Sequence, residues 1–284
     1  MRERTSYVLG LVGSGISASL TPSMLEREGR ESGLALSYRL IDAQRHGFGP
    51  DDLAHVLKWA QRLGFDGLNI THPFKQYVVP LLDELSEDAD DLGAVNTVVF
   101  RDGRALGRNT DWSGYGRAFR RSLPDAAGDR VVLVGAGGAG VAVGYALLEQ
   151  GAAHVAVLDL DRTRAEDCVT RLAKKYGDER VSATTDVAGA LSEARGLVNA
   201  TPTGMFGHEG LPVREELVHP GLWVSDVVYF PLETPLIALA RERGCRVVPG
   251  GGMAVFQAAD AFEHFTGTPP DTERMFRHFE ELTR

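Results

Sequence analysis

The chain has 284 residues, a formal net charge of -9, and a composition that is 43% hydrophobic and 24% charged. That size suggests about two soluble globular domains, each able to bury its own core. The acidic balance argues against nucleic acid as a partner, because phosphate backbones need a basic surface, while leaving room for a local pocket for a small acid.

No stretch approaches the 18 apolar residues of a membrane span, and the first residues, MRERTSYVLGLVG, lack the pattern of a secretory signal. Cys168 and Cys245 lie far apart without a partner motif and read as reduced thiols. The eight histidines show no ligand spacing. These features imply a cytoplasmic protein with no metal site and no membrane partner.

In chain order, 6–12 reads as a strand that ends in Gly13-Ser14-Gly15. Thr21-Pro22 then reads as a capping hydroxyl and a first helical proline. Ser17, Ser19 and Thr21 alternate before this helix; they are either turn chemistry or hydroxyls for a ligand carboxylate. Strands follow at 36–41 and 65–70, with an amphipathic helix over 51–63 between them.

The second of these strands runs into Asn69-Ile70-Thr71-His72-Pro73-Phe74-Lys75. Ligands in open α/β sheets collect beyond the carboxyl ends of strands, which is where Thr71 and Lys75 fall. An acidic helix is expected over 80–91, a strand carrying Asn96 over 94–100, and a short return strand over 104–107. Asp111 opens a helix over 112–123, where N-capping is the plain alternative to a catalytic role.

Residues 131–140, VVLVGAGGAG, carry strand, turn and helix start in immediate succession. Read as G-x-G-x-x-G, Gly135 permits the tight turn, Gly137 lets the backbone approach a pyrophosphate, and Gly140 lets helix and strand pack closely. The helix end then offers free N–H groups to an anion. The next strand, HVAVL, ends at Asp159, at the spacing expected of a carboxylate that takes ribose hydroxyls. A 2′-phosphate would meet Asp159 and Asp161 there, although Arg162 and Arg164 lie close by. The balance favours NAD over NADP.

Further alternation follows, with strands at 181–184, 196–200, 222–229 and 245–248, and helices at 186–194 and 235–243. Gly250-Gly251-Gly252 reads as a hinge before a helix over 253–265. Gln257 is out of place on the small apolar face of that helix, as a buried amide or as a ligand contact. A last amphipathic helix covers 271–284.

Six motifs in this order, Asn69–Lys75, Gly93–Thr97, Asn109–Asp111, Gly135–Gly140, Asn199–Met205 and Gln257-Ala-Ala, closely resemble the shikimate dehydrogenase family over essentially the whole chain. The NAD-using quinate/shikimate branch is the nearest likeness. The resemblance implies an α/β fold of two domains. One is a Rossmann-type NAD domain over 112–249. The other is a discontinuous α/β substrate domain with a mostly parallel sheet, built from 1–111 and 250–284, with the active site between them.

It further implies NAD(P)-linked interconversion of shikimate and 3-dehydroshikimate, with the quinate pair alongside, in aromatic amino acid biosynthesis through chorismate. Lys75 and Asp111 take the catalytic positions. Lys75 is the proton-transfer group and Asp111 its orienting partner, or Lys75 only polarises the reacting oxygen. Substrate contacts fall on Ser19, Thr21, Thr71, Asn96, Tyr229 and Gln257. Cofactor contacts fall on Gly135, Ala136, Gly137, Gly138, Ala139, Gly140, Asp159, Arg164, Thr201, Met205 and Gly252.

Three departures from the family pattern stand out. NADP-linked members carry Asn-Arg-Thr where this chain has Asp159-Leu160-Asp161, so the central 2′-phosphate clamp is a leucine. Leu20 also replaces a lysine common between the two substrate hydroxyls, and Leu25 replaces a common histidine. The resemblance leaves a monomer or a homodimer open. It also leaves open a quinate-preferring or aminoshikimate enzyme, and a non-catalytic NAD sensor that the Lys75–Asp111 pair argues against.

Overall fold

The computed structural model describes residues 5–283. It divides into two compact units, one formed by Met1–Thr110 with Gln257–Arg284 and the other by Asp111–Phe256. Asp111 and residues 250–256 therefore group with the second unit rather than the first.

The first unit is built on strands β1 (Ser6–Gly13), β2 (Ala35–Asp42), β3 (Gly67–Ile70), β4 (Glu84–Leu85), β5 (Thr97–Arg101) and β6 (Arg104–Arg108), in the order β2-β1-β3-β5-β6-β4. β2, β1 and β3 pair in parallel, as do β4 and β6, whereas β5 is antiparallel to both neighbours. The antiparallel step follows from the tight Asp102-Gly103 turn, where both residues adopt positive φ. Helices α1 (Thr21–Glu31), α2 (Ala43–His46), α3 (Leu53–Arg62) and α4 (Glu87–Leu92) connect these strands.

β3 is buried along its whole length, and Leu53, Leu57, Leu68, Ile70, Phe74 and Val98 share one core. A strand covered on both faces should read as a continuous apolar run, so the buried Asn69 within it marks a polar purpose.

The second unit opens with α5 (Asp111–Ser122). Its sheet has the order β12-β11-β10-β7-β8-β9, with every pairing parallel, over β7 (Arg130–Val134), β8 (His154–Leu158), β9 (Val181–Ala183), β10 (Gly196–Asn199), β11 (Trp223–Asp226) and β12 (Arg246–Val248). Between them run α6 (Gly138–Glu149), α7 (Arg162–Tyr176), α8 (Val187–Glu193) and α9 (Pro235–Glu242). This is the doubly wound arrangement, in which the order reverses at β7 and β10 and opens a crevice at their carboxyl ends.

Two helices complete the chain, α10 (Gly251–Thr266) and α11 (Thr272–Leu282). Glu28 of α1, buried, accepts two hydrogen bonds from the Arg274 guanidinium and one from the Asp271 N–H, which fixes α11 against α1.

Three sequence expectations need correction, and one helix was not expected. Leu20, not Thr21, is the N-cap of α1, and no side chain caps that end. Gly251 and Gly252 begin α10 rather than forming a hinge. The expected acidic helix over 80–91 shrinks to α4, because Leu82–Ser86 run alongside β6 and the return turn. Helix α7 has no counterpart in the sequence reading, although Asp161 caps it by accepting from the Thr163 and Arg164 N–H groups.

Among the described residues, no helix is long and apolar enough to cross a membrane, and no group of three His, Cys, Asp or Glu could hold a metal ion. Cys168 and Cys245 are free thiols, both buried.

Candidate active site

In the first unit, three loops meet at the carboxyl ends of β1, β2 and β3. The loop after β1 carries Ser17, Ser19 and Thr21. It is held by Asp42, the last residue of β2, whose carboxylate accepts the N–H groups of Gly15 (3.0 Å) and Ile16 (3.1 Å) while also capping α2 through Gln44. These backbone donors lower the Asp42 pKa against the opposing effect of burial. Ser19 Oγ accepts a long bond from the Thr21 N–H (3.4 Å), and both side chains are half-buried.

The loop after β3 lies against this one. The Ser14 N–H bonds the His72 carbonyl (3.0 Å), and the Thr71 N–H bonds Val12 (2.9 Å). A methyl on Gly13 would sit 2.3 Å from Thr71 Cγ2, so the two loops touch only because that residue is glycine. Thr71 and Lys75 are half-buried and His72 is exposed. The Lys75 carbonyl accepts the Val95 N–H (2.9 Å), bringing Lys75 beside the segment that carries Asn96.

A buried network runs through this region. The Tyr38 hydroxyl donates to Asn69 Oδ1 (2.7 Å), and Asn69 Nδ2 donates to the Asn96 carbonyl (3.2 Å) and to Thr97 Oγ1 (3.1 Å). Only an amide nitrogen can face a carbonyl, so the orientation of Asn69 follows from its partners. Thr97 must then donate onward to Asn96 Oδ1 (3.0 Å), which also accepts the Thr110 N–H (2.8 Å), while Asn96 Nδ2 donates to Thr110 Oγ1 (3.0 Å). Asn96 thus positions the residue immediately before Asp111. Tyr38 and Asp42 fall outside the six sequence motifs, and Thr97 and Thr110 enter those motifs with no role of their own. Asp42 had the clearest signal, a carboxylate ending an alternating strand.

Gln257 is half-buried on α10 in this first unit. Asp111 lies in the second unit, buried in the first turn of α5. Thus the two expected catalytic residues come from different units.

In the second unit the glycine loop joins β7 to α6. Gly135 has φ +103°, and a Cβ there would meet the Ala200 carbonyl at 2.8 Å. A Cβ on Gly140 would lie 2.0 Å from the Gly135 oxygen. Both must be glycine for the loop to close. Gly137 differs: its Cβ would meet nothing within 4 Å, it is the N-cap of α6, and no side chain caps that end. The first-turn N–H groups of Gly138, Ala139 and Gly140 therefore point at an open approach, as an anion site requires.

Asp159 follows β8 and reaches back to this loop, accepting the Ala136 N–H (2.8 Å) and the Asp161 N–H (2.9 Å). Arg164 sits 3.8 Å from Asp159 and 3.2 Å from Asp161, and Arg162 is paired with Glu166. Leu160 is fully exposed. Gly252 packs on α5, where its Cβ would lie 3.0 Å from Ala118 Cβ, and this packing accounts for glycine at that position.

The remaining positions gather on two loops. Thr201 and Met205 lie on the turn after β10, braced by Asn199, whose Oδ1 accepts the Thr201 N–H (3.1 Å) and hydroxyl (2.7 Å). Met205 is partly exposed and Tyr229 half-buried, and burial raises the Tyr229 pKa.

Residues 11–98 match the shikimate dehydrogenase substrate binding domain, and residues 250–275 match the shikimate 5′-dehydrogenase C-terminal domain. The chain is similar to the shikimate dehydrogenase (NADP(+)) of Streptomyces avermitilis, at 53% identity over 98% of this chain and 96% of that one. It is also similar to the quinate/shikimate dehydrogenase (NAD(+)) of Corynebacterium efficiens, at 48% identity over 98% and 99%. Among solved structures, quinate dehydrogenase from Corynebacterium glutamicum in complex with NAD superposes with a TM-score of 0.91 and 46% identity, covering 97% of this chain and 99% of that one. The two-unit α/β architecture, the glycine loop and these likenesses agree: the chain belongs to the shikimate dehydrogenase family, oxidoreductases acting on a CH–OH group.

Proposed function

We propose that this protein oxidises the C3 hydroxyl of shikimate, and the matching hydroxyl of quinate, with NAD rather than NADP. The observation that carries the substrate reading is the meeting of the Ser19–Thr21 loop, Thr71, Lys75 and Asn96 at the carboxyl ends of neighbouring strands. This is a set of neutral hydroxyls and amides with one cation, suited to a small polyol acid. Neutral donors bind a carboxylate without the desolvation cost of burying a second charge.

The relatives are named for both cofactors, so the preference rests on this chain's own residues. The residues that fit a dinucleotide are Gly135 to Gly140, whose open helix end suits a pyrophosphate, and Asp159, whose carboxylate suits ribose hydroxyls. For a 2′-phosphate the fit is poor. Asp159 and Asp161 repel it, and both carboxylates already engage Arg164.

Bound NAD supplies the hydride acceptor. Lys75 moves the proton of the reacting hydroxyl, and Asp111, in the first turn of α5, orients the pair. Ser19, Thr21 and Tyr229 take the substrate carboxylate, while Thr71, Asn96 and Gln257 take ring hydroxyls. Quinate differs from shikimate at a part of the ring these groups do not chemically transform, which supports use of both. The relatives named for both substrates favour the same view.

The test is absorbance at the NADH band with shikimate or quinate and either cofactor. Turnover with NAD and either substrate is expected, with much less on NADP. Lys75→Ala should lower turnover roughly 10²- to 10⁴-fold if it transfers the proton. Near-normal turnover in that variant refutes the role.

A further inference from the structure

Beneath the Thr201–Met205 turn lies a carboxylate that the proposed chemistry leaves unused. Asp226 ends β11 and is 1% exposed. Its Oδ1 accepts Asn199 Nδ2 (2.9 Å) and the Val228 N–H (3.0 Å), and its Oδ2 accepts the Thr234 hydroxyl (2.7 Å).

The partners settle the direction of each bond. Asn199 Oδ1 takes the Thr201 N–H and hydroxyl, so its nitrogen must face Asp226, and the same nitrogen reaches the Thr203 carbonyl (3.0 Å). Thr234 Oγ1 accepts the Ile237 N–H (3.2 Å) at the cap of α9, so its proton goes to Asp226. All three donors are neutral, and burial pushes the carboxyl up to about 6. Holding a carboxylate in that setting costs free energy that an apolar side chain of similar size would not. What the carboxylate provides is the simultaneous orientation of three segments: the turn 201–205, the stretch 227–229 and the start of α9.

A second contact joins the same two loops on their outer side. The rings of Phe206 and Phe230 meet edge to face with centroids 5.2 Å apart, although both side chains are exposed. Gly204 makes the turn that brings this loop against Thr234, with φ +95°, a conformation that side chains other than glycine rarely adopt. The loop that carries Met205 and the segment that carries Tyr229 are therefore clasped from inside and outside.

We propose that Asp226 is a positioning residue that makes the cofactor-side turn and the Tyr229 segment one body, so that cofactor binding organises Tyr229 for the substrate carboxylate. The inference rests on the assignment of Thr201 and Met205 to the cofactor and Tyr229 to the substrate. Its signature is thermodynamic coupling. Shikimate should bind more tightly when cofactor is present, and the gain should disappear when the clasp is cut.

NADH and shikimate are both reduced, so they form a ternary complex that cannot react. The dissociation constant of shikimate, measured by calorimetry with and without saturating NADH, gives the coupling directly. For the wild type a ratio of about 5 or more is expected, at the low end of ordinary coupling. In Asp226→Asn the amide presents N–H to Thr234 in place of an acceptor, and the ratio should fall to near one. Shikimate alone and NADH alone should bind within about threefold of wild type.

Thr234→Val cuts the same contact from the other side, and stands in if Asp226→Asn fails to fold. Thr234→Ser, which keeps the hydroxyl, should restore the ratio. A merely structural role would lower stability and leave the ratio unchanged, so a wild-type ratio in both Asp226→Asn and Thr234→Val overturns the inference. A wild type that binds both ligands with a ratio of one overturns the inference alone. A wild type that binds neither overturns the functional reading with it.

Discussion

Gly137 and Gly140 are three residues apart in one loop, and the structure assigns them opposite sensitivities. At Gly137 the backbone is extended (φ -74°, ψ -170°), a conformation open to any residue, and an added methyl meets nothing within 4 Å. Alanine there loses a little as an N-cap but gains about 0.4–1 kcal/mol by restricting the unfolded chain, so the two effects nearly cancel. The melting temperature of the ligand-free protein should move by no more than about 2 °C.

The methyl nevertheless stands where a pyrophosphate oxygen must approach the α6 N–H groups. Losing one charge-assisted hydrogen bond costs about 1.5–3 kcal/mol. That corresponds to a roughly 10- to 150-fold rise in the dissociation constant for NAD. At Gly140 the added methyl lies 2.0 Å from the Gly135 oxygen, a backbone atom that cannot step aside. Gly140→Ala should therefore lose about 1–3 kcal/mol or more of stability before any ligand is added. Thermal melts of both variants, with NADH binding followed by fluorescence, separate the two effects. Unchanged NADH affinity in Gly137→Ala, or equal loss of stability in the two variants, refutes the reading of the loop.

Asp159→Ala removes the charge that a 2′-phosphate would face and should narrow the NAD-to-NADP ratio of kcat/KM by about 1–3 kcal/mol, or roughly 5- to 150-fold. An unchanged ratio counts against the carboxylate as the discriminator. Tyr38→Phe leaves Asn69 Oδ1 buried without its phenolic donor. It should cost about 1–3 kcal/mol in denaturant unfolding and raise the KM for shikimate by loosening Asn96; no change in either contradicts the network. Asp226 holds its proton up to a pH of about 6 in the folded state, against 3.8 as the ordinary value. Between those values the unfolded chain releases the proton while the folded chain keeps it, so this group makes stability fall as pH rises from about 4 to 6, with no further change above. The slope should flatten in Asp226→Asn, and identical slopes would refute the assignment.

The sequence showed the glycine loop and the loops after β1 and β3 clearly, because backbone demands leave a local record. A tight turn and a close approach need glycine at fixed spacing, and strand ends that meet ligand carry polar residues where an apolar run stops. The order of strands and helices was visible for the same reason. Helix α7 was not. Its stretch Arg162–Tyr176 is highly charged, and only Ala165, Cys168 and Leu172 are buried, too thin an apolar stripe to stand out. Nor was the start of α10 at Gly251, because Gly250 and Gly252 are dictated by neighbours distant in sequence. A Cβ on Gly250 would meet the Val227 and Val228 carbonyls at 2.5 Å, and one on Gly252 would meet Ala118. Three glycines together look like a hinge when such neighbours are unseen.

The buried polar networks were hidden by the same limit. Tyr38, Thr97 and Thr110 are ordinary strand and turn residues taken singly, and Asp226 is one carboxylate among 39 acidic residues. They acquire a role only when the order β2-β1-β3-β5 gathers their strands into one sheet, or when β10 and β11 bring Asn199 next to Asp226. Long connections join these strands, so their polar residues pair across tens of positions, 31 for Tyr38 and Asn69, 28 for Asn69 and Thr97, and 27 for Asn199 and Asp226. Each such pair ends at a residue or segment assigned to the reaction: Tyr38 acts through Asn69 and Asn96 on the residue before Asp111, and Asp226 acts on the loops of Met205 and Tyr229. The sequence motifs therefore mark the groups proposed to meet ligand, while the residues that fix their orientation sit one layer below, at strand ends whose partners the chain reveals only when folded.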